Sequence, residues 1–255
     1  MMERIGIGEA ATRGGVRLVL LAGFPSPWSV AAKAIFDVKR IPYTRAQQMP
    51  SDAPDALQRV TGQASYPAVL FEKERPRTGW AEILLLAERL APEPALVPAD
   101  ARERALFFGL AHEICGTDGL GANLRHLMIH AGMQASPPDP ISGYLGPKYD
   151  YSPEAAAAAP ARAIALLRML SAQLASERAR GNAYLLGPSL TALDLYWAAF
   201  SNLVVMQPPE QCPLPAPLRA RFTNTPKEIL AALDPALLAH RDFVFEKHVG
   251  LPLEL

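Results

Sequence analysis

Cysteine is scarce in this chain. Its 255 residues hold only Cys115 and Cys212, too few for a disulfide framework and without the paired spacing of a zinc site. A reducing compartment is the default for such a sequence. An excess of either charge is also missing, since 25 basic residues face 25 acidic ones. That balance argues against nucleic acid or an anionic membrane as partner, because either would select a clustered basic surplus. Long hydrophobic runs are lacking too. The apolar run Val16 to Ala22 sits at the bottom of the ~7–15 residues of a secretory core, no small-x-small cleavage site follows it, and it reads as a buried strand. No stretch approaches the ~18 apolar residues of a membrane span. The expectation is a soluble cytoplasmic protein with neither a membrane nor a nucleic-acid partner.

What is abundant is apolar residues, at 50%, and proline, at 25 positions. A chain of this length buries a real core and allows one large or two ordinary domains. Residues 1–15 carry no periodicity and read as a loose leader. After them come a strand over "VRLVLLA", a helix over "WSVAAKAIFDVKR", an extended "IPYTRAQ" and a helix over "SDAPDALQRV". A strand over "YPAVLFEK", an extended "RPRT" and a helix over "WAEILLLAERL" complete a small α/β domain, residues 16–91. The proline-rich residues 92–100 read as a linker, because proline removes a helix donor and pushes its predecessor extended.

From 101 to 255 the texture is all-α. "ARERALFFGLAHEICGTDGLGANLRHLMIHAG" has helical periodicity interrupted by glycines, "ARAIALLRMLSAQLASERAR" carries an apolar stripe, and "TALDLYWAAFSNLVVM" is apolar all round and predicts a buried helix. "TPKEILAALDP" and "ALLAHRDFVFEKHV" are shorter helices. Residues 132–152, bearing Tyr144, Tyr149 and Tyr151, read as a long irregular loop. Ser152 and Pro153 start a helix, which Pro160 kinks or restarts.

Several residues are placed where chemistry is possible. Ser26 follows the first strand at the start of a helix, where unpaired amides and the positive dipole end favour anions. In "GFPSPWS" it and Ser29 occupy the seats a thiol-redox enzyme fills with cysteines. Ser26 or Ser29 caps the helix, or Ser26 donates to a bound thiolate, and the two roles are compatible. Tyr66-Pro67 opens the second long strand, as an ordinary trans opener or with a cis bond. Thr191 and Asp194 fit a capping box. His112 with Cys115, and His126 with His130, have metal-ligand spacing. No third ligand is fixed, so packing or solvent contact is expected and no metal.

An α/β domain of thioredoxin-like pattern, the strand-opening Pro67, the helix ending "LAERLAP", the proline-rich linker and the T-x-x-D box of an all-α domain together resemble the glutathione transferase superfamily, over roughly residues 16–250. The resemblance implies a thioredoxin-like N-terminal domain followed by a glutathione-transferase-type helical bundle, glutathione as co-substrate and a homodimer. It implies that Ser26 supports the glutathione thiolate, that Pro67 is a cis-proline and that the Tyr66 backbone pairs with the tripeptide. The acidic residue and serine that grip the γ-glutamyl end fall on Thr78 and Gly79, with Glu82 a turn further on. Trp28, Phe107, Phe108 and His112 are the candidates for holding a small-molecule electrophile. The expected activity is addition of the Ser26-stabilised thiolate to that electrophile. The alternative is a non-catalytic ligand- or partner-binding protein, favoured by Thr78 and Gly79 standing where the acidic-serine pair belongs.

Overall fold

The computed structural model describes residues 4–254. The chain divides into two compact units, one running to Leu96 and taking in Leu253 and Glu254, the other Val97–Pro252.

The first unit is built on a four-stranded sheet. Its strands are β1 (Arg4–Gly6), β2 (Val16–Val19), β3 (Thr44–Gln47) and β4 (Ala68–Phe71), ordered β1-β3-β2-β4. β1 and β2 both run parallel to β3, and β4 runs antiparallel to β2. An antiparallel bridge, Val69 to Arg77, adds the "RPRT" stretch to the far edge. The helices are α1 (Ile7–Thr12), α2 (Pro27–Val38), α3 (Ala56–Thr61) and α4 (Trp80–Leu90). Because side chains alternate along a strand, Ile5, Val19, Ala46, Ala68 and Leu70 share one face. There they form a core with Ile7 and Ala10 of α1 and Ala56 and Leu57 of α3. Gly62 ends α3 in the left-handed conformation, φ +79°, and donates its amide to the Gln58 carbonyl, a cap that glycine adopts at least cost.

Residues 1–15 are no loose leader where they are described, since Arg4–Gly6 is the sheet's edge strand and Ile7–Thr12 a helix. The physical reason lies 45 residues away. The carboxylate of Asp52 accepts from the amides of Ile7 at 2.9 Å, Gly8 at 3.0 Å and Met49 at 2.8 Å, supplying the cap that the segment's own residues lack. A Cβ on Gly6 would lie 2.9 Å from that carboxylate, so a side chain there would push the cap away.

The second unit is all-α: α5 (Ala101–Cys115), α6 (Leu120–Met133), α7 (Pro140–Lys148), α8 (Pro153–Ala179), α9 (Ala192–Ser201), α10 (Ala216–Ala220), α11 (Lys227–Ala232), α12 (Pro235–Val244) and a π-helical turn, Phe245–Val249. Two expectations are corrected here. The 132–152 segment contains α7, whose N-terminus is capped by Asp139 accepting from the Ile141 and Ser142 amides, with Pro140 at the first helical position. Arg221 then holds Asp139 through two hydrogen bonds, 2.9 and 2.8 Å. Pro160 does not restart α8, which runs through it for 27 residues, because the Ser152 cap and the alanine run carry the helix past the one missing donor. The alanines and leucines also make α8 long and apolar enough to cross a membrane by length and composition alone, against the expectation that no stretch approaches that length. A stripe of α8 from Ala156 through Ala163, Leu167 and Leu174 is buried, and the helix packs against α6 and α11.

Candidate functional site

Strand register brings the first unit's candidate residues to one end of the sheet. Val19, the last residue of β2, lies opposite Ala68, the first of β4. The 20–26 connection to Ser26 therefore leaves the sheet where Tyr66 and Pro67 enter it. Across the next step, Val69 faces Arg77 in antiparallel sense, so Thr78 and Gly79 reach the same end. The Tyr66-Pro67 bond is cis.

Ser26 is the N-cap residue of α2, with extended backbone, φ −62° and ψ 117°, and its carbonyl accepts from the Val30 amide at 2.9 Å. Pro27 at the first helical position suits the fixed φ of proline. Ser26 is 7% exposed, and its side chain makes no capping hydrogen bond. Ser29 points back instead, accepting from the Leu21 amide at 3.5 Å. Of the two readings of Ser26, capping by its side chain does not occur, and among the described residues the hydroxyl is left uncommitted beside the amide end of a helix of 12 residues. Trp28, one residue into that helix, is half-buried.

Gly79 is the N-cap residue of α4. Having no side chain, it leaves capping to Glu82, whose Oε2 accepts from the Gly79 amide at 3.4 Å and the Thr78 amide at 3.5 Å. Arg75 binds the other oxygen of Glu82 at 2.6 Å. The Arg75 hydrogen bond, opposed by burial and helped by the two amides, holds the Glu82 carboxyl below the usual carboxylate range. A carboxylate of the chain itself therefore already lies on the amides of Thr78 and Gly79. Arg75 was missed in the sequence, where only its closeness to an acid at the third helical position signals it.

The remaining candidates belong to the second unit. Phe107 is fully buried and stands edge-on to Phe108, centroids 5.1 Å apart, so it has no face to offer a ligand. Phe108 is half-buried with the Arg104 guanidinium over its ring at 5.0 Å. His112 is exposed and accepts the Gly116 amide on its carbonyl at 2.7 Å. His130 Nδ1 lies 2.8 Å from the Tyr151 hydroxyl, and burial lowers the pKa of His126 against the pull of Asp118 and Asp150. Among the described residues no cluster of three or more His, Cys, Asp or Glu is placed to hold a metal.

The capping box at Thr191 is present and larger than its local signature. Asp194, wholly buried, accepts from the Thr191 amide at 2.9 Å and its hydroxyl at 3.0 Å, from the Leu185 amide at 2.8 Å, and lies 2.9 Å from His240 Nε2.

No family model matches the sequence, and no curated protein matches it. Solved structures do match. The Omega 3C glutathione transferase of Trametes versicolor is similar over 95% of this chain and 90% of its own, at 17% identity and a TM-score of 0.58. A glutathione transferase of Methylobacillus flagellatus with glutathione bound is similar over 92% and 96%, at 11% identity and a TM-score of 0.64. Ure2p in complex with glutathione is similar over 89% and 98%, at 15% identity and a TM-score of 0.57. The fold of this chain is that of the glutathione transferases, a thioredoxin-like unit followed by a helical one.

Proposed function

We propose that the chain is a glutathione-dependent transferase in which Ser26 stabilises the glutathione thiolate for attack on a small hydrophobic electrophile. The observation that carries this reading is the uncommitted Ser26 hydroxyl at the amide end of α2. An unperturbed thiol has a pKa of ~8.5 and is only a few per cent ionised at neutral pH. A hydroxyl donor and a helix N-terminus both favour the anion. The thiolate sulfur then forms the new bond to the electrophilic carbon, the leaving group departs with the bond's electrons, and the proton has already passed to solvent. In this reading the Tyr66 backbone, beside Pro67, pairs with the tripeptide, and Thr78 and Gly79 meet its γ-glutamyl end. Trp28, half-buried on α2, is the first unit's contact with the electrophile. A homodimer and a cytoplasmic location belong to the same reading.

One observation favours a second reading, a non-catalytic binder. The Glu82 carboxylate sits on the Thr78 and Gly79 amides, where a ligand carboxylate would otherwise go, so glutathione has to compete for them. The test combines calorimetric titration of the whole chain with glutathione and a conjugation assay with 1-chloro-2,4-dinitrobenzene. Binding with turnover supports the transferase, and binding without turnover supports the binder. Absence of both removes glutathione from the proposal.

A further inference from the structure

The first unit buries two arginines and treats them differently. Arg17 on β2 is 3% exposed, and its guanidinium is spread over backbone carbonyls: Ala10 at 3.0 Å, Glu72 at 3.1 Å, and Gly15. Arg45 on β3 is buried to the same 3%, yet its Nε is enclosed with no hydrogen-bond partner among the described residues. The register sets Arg45 directly opposite Arg4 of β1 on one side and Leu18 of β2 on the other. By alternation these three share the face away from the Ile5, Val19 and Ala46 core.

The groups acting on Arg45 are few. Burial first, and then the charge of Arg4, disfavour the Arg45 guanidinium, while the Glu254 carboxylate attracts it. Asp37, the acid contributed by α2, is already engaged by Lys33 Nζ at 2.8 Å and by the Tyr43 hydroxyl at 2.8 Å. Glu254 lies 3.6 Å from Lys33 with its side chain largely in solvent. A guanidinium never loses its proton in proteins. Enclosing one without a bound anion is costly, and the cost vanishes when an oxyanion takes its donors.

We propose that Arg45, with Arg4 opposite it in the register, is a binding site for a small oxyanion, a phosphate or carboxylate group, on the β1–β3 side of the sheet. Arg45 supplies the planar donor set that matches such a group, Arg4 adds charge from the register position opposite, and Glu254 is the chain's own weak competitor. The site is independent of Ser26 and of the transferase reading.

The test is calorimetric titration of the full chain with inorganic phosphate and, separately, with acetate; the ion that saturates assigns the ligand class. Arg45→Met should weaken uptake at least tenfold while melting at or above the temperature of the anion-free parent, because it removes a buried charge that lacks an anion. Glu254→Gln should tighten uptake several-fold. Failure of the parent chain to take up either ion saturably overturns the proposal, as does equal affinity in the parent and Arg45→Met. If Arg45→Met does not fold, Glu254→Gln decides: unchanged affinity overturns the site.

Discussion

Two helix N-termini of this chain are finished in opposite ways. At α9 the Asp194 carboxylate takes the Thr191 amide and hydroxyl and the Leu185 amide, with His240 Nε2 at 2.9 Å. At α2 the N-cap serine has the same opportunity, yet its hydroxyl makes no capping bond. A saturated, buried cap belongs to the scaffold, since every donor it satisfies would otherwise be an unpaired buried group. An unsaturated one keeps its donor for something that arrives. The N-terminus of α4 stands between them. Its amides hold Glu82, at 3.4 and 3.5 Å, beyond the usual 2.7–3.2 Å range for such bonds, so the end is occupied loosely.

The comparison is broken most severely by Asp194→Ala. With His240 1% exposed and Asp194 fully enclosed, removing the carboxylate orphans several buried donors at once. The expected loss is about 3–5 kcal/mol of stability, read as a lower melting temperature. A variant that keeps its melting temperature would contradict the scaffold role. Ser26→Ala should do the reverse: little change in melting, because no capping bond is lost, and a fall in conjugation rate of about 10–1000-fold, the usual effect of deleting a donor to developing or resting negative charge. Turnover at the parent rate would take Ser26 out of the mechanism.

Glu82→Gln sharpens the intermediate case. It removes the charge that competes with a ligand carboxylate for the Thr78 and Gly79 amides, and one charge-assisted hydrogen bond contributes about 1.5–3 kcal/mol at most. Because Glu82 is substantially exposed and its amide contacts are long, the expected gain in glutathione affinity is only several-fold. Calorimetry measures it, with melting as the control for loss of the Arg75 pair. Weaker binding in the variant would mean that Glu82 serves the ligand's ammonium instead of blocking its carboxylate.

How far these ends were legible in the sequence follows from how local their causes are. The Thr191 and Asp194 box was readable because its partners are three residues apart, but Leu185 and His240, nine and 46 residues from Asp194, leave no local trace. The strand-helix-strand pattern placed Ser26 correctly at a helix start, and only the structure shows that its hydroxyl is uncommitted. Residues 4–12 were misread as a leader because β1 is three residues long and its helix is capped by the distant Asp52. α7 went unread although a local start signal, Asp139 before Pro140, is present. The glycines and the second proline that follow, Gly143, Gly146 and Pro147, masked the periodicity. Ser26, Tyr66-Pro67 and Thr78-Gly79 meet at one end of the sheet because β4 runs antiparallel to β2 and the Val69–Arg77 bridge is antiparallel in turn, pairings that leave no local trace in the sequence.

The smallest expected effect tests whether the closed character of the second unit extends to its last turn. The Tyr184 hydroxyl lies 3.0 Å from His248 Nε2 and 3.3 Å from Lys247 Nζ, and Phe243 packs beside both the Tyr184 and His248 rings. Burial first, then the charges of Lys247 and His240 against the pull of Asp194, lower the pKa of His248. In the unfolded chain the imidazole returns to about 6.5. Between the lowered value and 6.5 the unfolded state therefore binds more protons, and stability rises with pH across that window. The contribution is complete above about 6.5 and is lost as pH falls through the folded-state value, with a slope of at most one proton per chain. Melting curves between pH 5 and 8 should show this slope in the parent and a shallower one in His248→Phe, which keeps the ring packing and removes the titration. An equal slope in both would place the pH dependence elsewhere and leave the Tyr184–His248 contact a packing feature.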